Sequence, residues 1–233
     1  MARNKEGLWK LSPSGLYGYT ECRSCFWVDN HYKKAPMLPL LLNTAMDSIL
    51  KNRFDKYRVD GTFPPEMLEL ESLGIKPFDD LVTLNDWREN AKALQIIDEK
   101  VGYVLTGKID DVLVEVSGRL NPADYKSSGN APADDKQRYY ADQLAAYGLM
   151  FSRHGYDVSD RAYLMHYFVK DKCDGSIDVA FDSHLDLVPI NLETIEQKLI
   201  AMVELLNELY PGDNPDCQKC TFYAGRNEIV SAR

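Results

Sequence analysis

The sequence has no long apolar run. The stretch from Met37 to Met46 comes nearest, and Pro39, Asn43 and Thr44 interrupt it, so nothing reads as a membrane span of about 20 residues. No basic-then-apolar leader is seen at the start, which sets the expectation of a cytoplasmic protein that is neither exported nor membrane-bound. Internal repeats and low-complexity tracts are missing as well. So are a G-x4-G-K-[ST] phosphate loop, a G-x-S-x-G nucleophile elbow and an H-E-x-x-H helix, which leaves ATP-driven, serine-hydrolase and H-E-x-x-H metallohydrolase chemistry without support. Histidine is scarce: His31, His154, His166 and His184 show no ligand spacing to one another and read as surface or packing residues, with only His166 falling inside a predicted strand.

Positive charge is in deficit too. There are 27 Lys and Arg against 36 Asp and Glu, a formal net charge of −9, which is unusual for a chain that grips nucleic acid through its phosphates. The deficit is uneven, because residues 1–58 hold ten Lys/Arg against five Asp/Glu. Lys33, Lys34, Lys51, Arg53, Lys56 and Arg58 either line an approach for an anionic ligand or form a solvated helix face. Trp27, Tyr32 and Phe54 lie among them and read as packing residues first and base-stacking platforms second.

What is present fits one domain over residues 1–233, with room for a helical insertion around 60–95; 233 residues at 45% hydrophobic content can bury a sizeable core. Alternating, β-branched stretches predict strands over 101–110, 112–116 and 120–126 as a meander, and further strands over 161–169 and 177–182. Helices are predicted over 40–57, from an Asp134 or Asp135 cap to about Arg153, and over 191–209, the last with apolar spacing at Ile195, Leu199, Met202, Val203 and Leu206. Residues 62–86 read as irregular, an insertion or a lid. The order strands, helix, strands, helix points to an α/β fold with a mixed sheet flanked by helices.

The most informative constellation lies between Gly107 and Gly129. Asp110 precedes the tripeptide Asp124-Tyr125-Lys126, and on a strand Asp124 and Lys126 project to one face while Tyr125 points to the other. Two carboxylates from neighbouring strands suit a hard divalent ion, which acidifies a bound water and neutralises phosphoryl charge. An adjacent ammonium orients the nucleophile or stabilises the developing anion. On that chemistry Asp110 and Asp124 are candidate ligands and Lys126 a candidate catalytic residue; the plain alternative is an exposed strand with a surface Asp/Lys pair. On the following helix Gln143 and Tyr147 stand four apart, hence on one face.

With Gly107-Lys108-Ile109-Asp110, Asp124-Tyr125-Lys126 and Gln143-Leu144-Ala145-Ala146-Tyr147 in this order, the chain resembles a PD-(D/E)XK nuclease of the RecB-like branch, which includes the CRISPR-adaptation exonucleases. The resemblance implies a restriction-endonuclease-like core. It also implies a Mg2+ or Mn2+ ion held by Asp110, Asp124 and the Tyr125 carbonyl, a catalytic Lys126, and Gln143 and Tyr147 shaping the site. That branch usually places a further ligand, a histidine, on an early helix; Asp47 stands there in this chain, either as a carboxylate ligand or simply paired with Lys51. The implied activity is cleavage of DNA, as an exonuclease on single-stranded ends, in repair or CRISPR adaptation beside a helicase or integrase partner. The alternatives are an inactive nucleic-acid-binding module, motivated by Asp47 and the acidic charge, and a purely structural zinc protein.

Two Cys-x2-Cys hooks, Cys22/Cys25 and Cys217/Cys220, lie near opposite ends of the chain and suit four-thiolate coordination that would join the termini. Cys173 reads as an ordinary loop thiol. Several RecB-like nucleases carry a [4Fe-4S] cluster on one early and three late cysteines, and the Phe-Trp after Cys25 and the Phe222-Tyr223 after Cys220 are similar. This chain departs from them in having no cysteine after Cys220. The resemblance implies a [4Fe-4S] cluster on the four sulfurs, with a Zn2+ ion as the alternative, since two such hooks suit either group.

Overall fold

The structure, a computed structural model, describes residues 3–32, 41–133, 137–170 and 179–231. Strand β1 (Trp9–Leu11) leads into helices α1 (Gly15–Glu21), α2 (Arg23–His31) and the long α3 (Leu41–Val59). A 3-10 turn (Pro65–Met67), α4 (Glu69–Ser72), β2 (Ile75–Pro77) and α5 (Leu81–Glu89) follow, then β3 (Ile96–Asp98), β4 (Tyr103–Leu105), β5 (Asp111–Glu115) and β6 (Leu120–Ser128). The chain continues through α6 (Gln137–Arg153), β7 (Arg161–Val169), β8 (Phe181–Pro189), α7 (Leu192–Asn207) and α8 (Gln218–Ser231). No helix among the described residues is long and apolar enough to cross a membrane.

The central sheet runs β2-β5-β6-β7-β8, with β6 and β7 parallel and every other pair antiparallel, so it is mixed as expected. A smaller sheet, β1-β4-β3, stands apart from it. The two-residue period of the strands divides the core between the faces of the central sheet. From β5 and β7, Val112, Ala162 and Leu164 join the cluster that α6 and α7 cover. Leu113, Tyr163, Met165 and Tyr167 turn the other way and pack with Leu50 and Phe54 of α3. Helix α7 follows its predicted apolar stripe, and the Asn191 side chain caps it by accepting from the Thr194 amide at 2.9 Å.

Three local expectations change. Of residues 101–110 only Tyr103–Leu105 is strand, and it belongs to the small sheet, so the meander reduces to the β5–β6 hairpin. The chain crosses between sheets at Gly107, where a Cβ would stand 2.9 Å from Pro13 and 3.2 Å from the Tyr147 ring, a fit that needs glycine. The last strand covers Phe181–Pro189 rather than ending at 182; it is a sheet edge whose outward residues, Asp182 among them, mask the strand pattern. Residues 62–86 are structured: β2 pairs with β5, and Phe63, Met67, Leu70 and Ile75 are buried beneath α3. The Asp134/Asp135 cap, the start of the 177–182 strand, Cys173, Lys33 and Lys34 lie outside the described residues.

Candidate active site and cysteine cluster

Asp110 is the last residue before β5, and the β5–β6 register places Asp124 beside it. The pleat directs Asp124 and Lys126 to the α6 side, with Lys126 Nζ 2.5 Å from Asp124 Oδ2. Tyr125 turns to the opposite face and stacks on Phe54 at 4.4 Å, while its amide donates to Asp110 Oδ2 at 3.3 Å. From α6, Gln143 Nε2 reaches Asp124 Oδ1 and the Tyr147 hydroxyl, both at 3.4 Å. That hydroxyl donates to the Lys108 carbonyl at 2.6 Å, two residues before Asp110. Asp47 joins through a lysine: Lys51 Nζ lies 2.9 Å from Asp47 and 2.8 Å from Asp110. The residues expected from the sequence, Asp47, Asp110, Asp124, Tyr125, Lys126, Gln143 and Tyr147, are therefore brought together. Asp47, Asp110, Tyr125 and Lys126 line a cavity of about 300 Å3 with Ser127, Ser128, Tyr140 and His166.

Electrostatics in the cluster oppose two free carboxylates. Burial, and then the adjoining Asp110 charge, push the Asp124 carboxyl up to about 8. Burial also works on Asp110, but the Lys51 ammonium and a hydrogen bond from Asp124 hold it below the usual carboxylate range. With Asp124 shifted up and Asp110 shifted down, the pair is expected to carry one proton near neutral pH, which an added divalent cation would displace. Hard oxygen donors in a partly open, polar cavity fit such an ion.

The family profile of the PD-(D/E)XK nuclease superfamily matches residues 27–224. The chain belongs to that superfamily. No curated protein matches it. A solved structure titled "Crystal structure of SSO0001" is similar at a TM-score of 0.48 and 15% identity, over 92% of this chain and 84% of that one.

In this PD-(D/E)XK chain the motif residues stand on a charged foundation that the sequence reading missed. Asp111, fully buried, accepts from Arg58 Nη2 at 2.5 and 2.6 Å, from the Val112 amide at 2.7 Å and from the Tyr125 hydroxyl. Arg88 Nε donates to the Asp110 carbonyl at 2.7 Å, and its Nη1 pairs with Asp55 at 2.7 Å. Asp110 and Tyr125 are thus tied to Arg58, Arg88 and Asp111 by direct hydrogen bonds. A signal was available: Asp47, Lys51, Asp55 and Arg58 alternate in charge along one face of α3 at spacings of four, four and three. The expected basic approach is correspondingly reduced, since Arg58 is buried and Arg53 pairs with Glu66. His166 sits beside Lys126 across the β6–β7 register, with Nε2 3.2 Å from Asp186 Oδ2. Of Trp27, Tyr32 and Phe54, Phe54 is buried, Trp27 packs on His31 and Tyr32 is largely exposed.

Far from these carboxylates in sequence, the N-terminal half of α2 and the start of α8 bring the two cysteine hooks together. Sγ–Sγ distances are 3.6 Å for Cys22–Cys220, 3.7 Å for Cys25–Cys217 and 3.5 Å for Cys25–Cys220. All four sulfurs lie within 4.8 Å of one another, a metal-binding arrangement that ties the two ends of the chain. The thiols differ: burial raises Cys25, whereas the Cys220 backbone amide lowers Cys217 to about 7.

Proposed function

We propose that the protein is a Mg2+- or Mn2+-dependent deoxyribonuclease of the RecB-like branch, acting as an exonuclease on single-stranded ends. The observation that carries this reading is that Asp110 and Lys126 line one cavity while Asp124, buried behind it, contacts Lys126 and Gln143, and Tyr147 holds the Lys108 carbonyl. Asp110, Asp124, the Tyr125 carbonyl and Asp47 are the residues that would hold the ion. When bound, the ion supplies an acidified water and neutralises phosphoryl charge. Burial works against the Lys126 ammonium, but the carboxylates beside it raise its pKa, so it stays protonated at neutral pH and can stabilise the developing oxyanion. Gln143 fixes the rotamer of Asp124. Tyr147 anchors the Lys108 carbonyl and so the loop that delivers Asp110. In this reading residues 1–233 work as one domain in the cytoplasm, in DNA repair or CRISPR adaptation beside a helicase or integrase.

For the cysteines, the sulfur spacing supports a single tetrahedral Zn2+. Metal–sulfur bonds of about 2.3 Å put the sulfurs of a regular tetrahedron about 3.8 Å apart, close to the three spacings of 3.5–3.7 Å, with all four sulfurs within 4.8 Å of one another. A four-iron cube places an iron at each corner and spreads its cysteine sulfurs well beyond that, so the [4Fe-4S] alternative fits these distances poorly. A second reading, an inactive nucleic-acid-binding module, draws on the net charge of −9 and on the lysines that already occupy both carboxylates. End-labelled single- and double-stranded DNA incubated with Mg2+, Mn2+ or EDTA separates the two. Products that shorten progressively from single-stranded ends and vanish in EDTA support the exonuclease; salt-dependent binding without products supports the module.

A further inference from the structure

Lys51 lies outside the three motifs, yet it makes a direct ion pair with Asp110. Its Nζ stands 2.8 Å from Asp110 Oδ1 and 2.9 Å from Asp47 Oδ2, bridging two groups assigned above to the divalent ion. The other oxygen of Asp110 accepts the Tyr125 amide, so Lys51 takes the one left over. Asp110 keeps only 18% of its side-chain exposure, and an enclosed carboxylate without a counter-charge is strongly disfavoured. Lys126 serves Asp124 in the same way. Each buried carboxyl group thus has one lysine against it.

An ammonium within 3 Å of both Asp47 and Asp110 and a divalent ion on those same carboxylates repel each other strongly. The Lys51 side chain is 22% exposed, on a flexible four-carbon stem, and both its partners line the cavity, so it has somewhere to go. We propose that Lys51 is a displaceable internal cation: it holds Asp47 and Asp110 together in the ion-free site, competes with the divalent ion for them, and once released provides a second ammonium for the substrate phosphate. This rests on Asp110 being a metal ligand. A permanent structural ion pair would instead leave metal affinity indifferent to Lys51.

The test is a Mn2+ titration of the full chain without DNA, followed by electron paramagnetic resonance of free Mn2+, for the wild type, Lys51→Met, Lys51→Gln and Asp110→Asn. Deleting a unit charge about 5 Å from a divalent ion strengthens binding about tenfold or more even under water-like screening, so both neutral Lys51 variants should bind Mn2+ at least that much more tightly. At saturating Mn2+ the same variants should show a raised KM for DNA. Unchanged or weaker Mn2+ binding in a folded Lys51 variant, with binding abolished in Asp110→Asn, overturns the inference and leaves the metal reading standing. Wild-type-like Mn2+ binding in Asp110→Asn removes the metal reading itself, and the role of Lys51 with it.

Discussion

Replacing Asp111 by asparagine tests whether the buried charges under the site are a foundation or an accident of packing. Asp111 has no exposure, and the side chains of Arg58 and Arg88 around it are 2% and 6% exposed. The substitution keeps the volume but leaves these guanidinium groups facing a neutral amide, and stripping one partner from a buried pair costs about 3–5 kcal/mol. For a chain of 150–250 residues each kcal/mol moves Tm by about 2–4 °C, so the expected fall is about 6–20 °C, read by calorimetry or by urea unfolding at fixed pH. A double variant, Arg58→Met with Asp111→Leu, should lose less than the sum of its single variants, because it strands less charge. A fall of under about 2 °C in Asp111→Asn would refute the reasoning, since it would mean that water or a shifted side chain compensates the arginines.

Two further outcomes follow from the same structure. Because the folded Asp124 carboxyl titrates near 8 while an unfolded aspartate titrates near 3.8, its stabilising contribution is complete below the unfolded value and is lost as pH rises to about 8; Asp110, shifted the opposite way, contributes above the unfolded value and loses that contribution only in acid. Metal-free protein should therefore melt lower at pH 9 than at pH 6.5, and Mn2+ binding at pH 6.5 should release about one proton, measured by calorimetry in buffers of different ionisation enthalpy; no proton release would remove the shared proton of Asp110 and Asp124. Purified protein should be colourless and carry one zinc per chain, and Cys217→Ser should lose that zinc and unfold at lower temperature; a brown protein with iron absorption would reverse the cofactor reading.

Much of the site was legible because its chemistry is local. Asp124 and Lys126 share a face by strand period, Gln143 and Tyr147 by helix period, and the two Cys-x2-Cys hooks carry their ligand geometry within four residues each. The α/β order and the apolar stripe of α7 were legible for the same reason. The small sheet was not: β1 and β3 are three-residue strands held by neighbours distant in sequence, too short for a periodic signal. Nor was the role of Asp111, which looks like a duplicate of Asp110 until the pleat sends one carboxylate to the cavity and the other to Arg58. Arg58 itself reads as part of a basic helix, and only the packing of α3 against β5 and β6 shows that it is buried.

The central claim is that Asp110, Asp124 and Lys126 form a metal-dependent phosphodiesterase site. Its most direct measurement is the cleavage rate of end-labelled single-stranded DNA by the wild type and Lys126→Ala in Mg2+ and Mn2+, with Tm and zinc content measured on the same preparations. Loss of one ammonium that stabilises the transition state should lower kcat by about 100-fold or more in protein that still unfolds cooperatively and keeps its zinc. Cleavage by a well-folded Lys126→Ala protein at the wild-type rate would contradict the account.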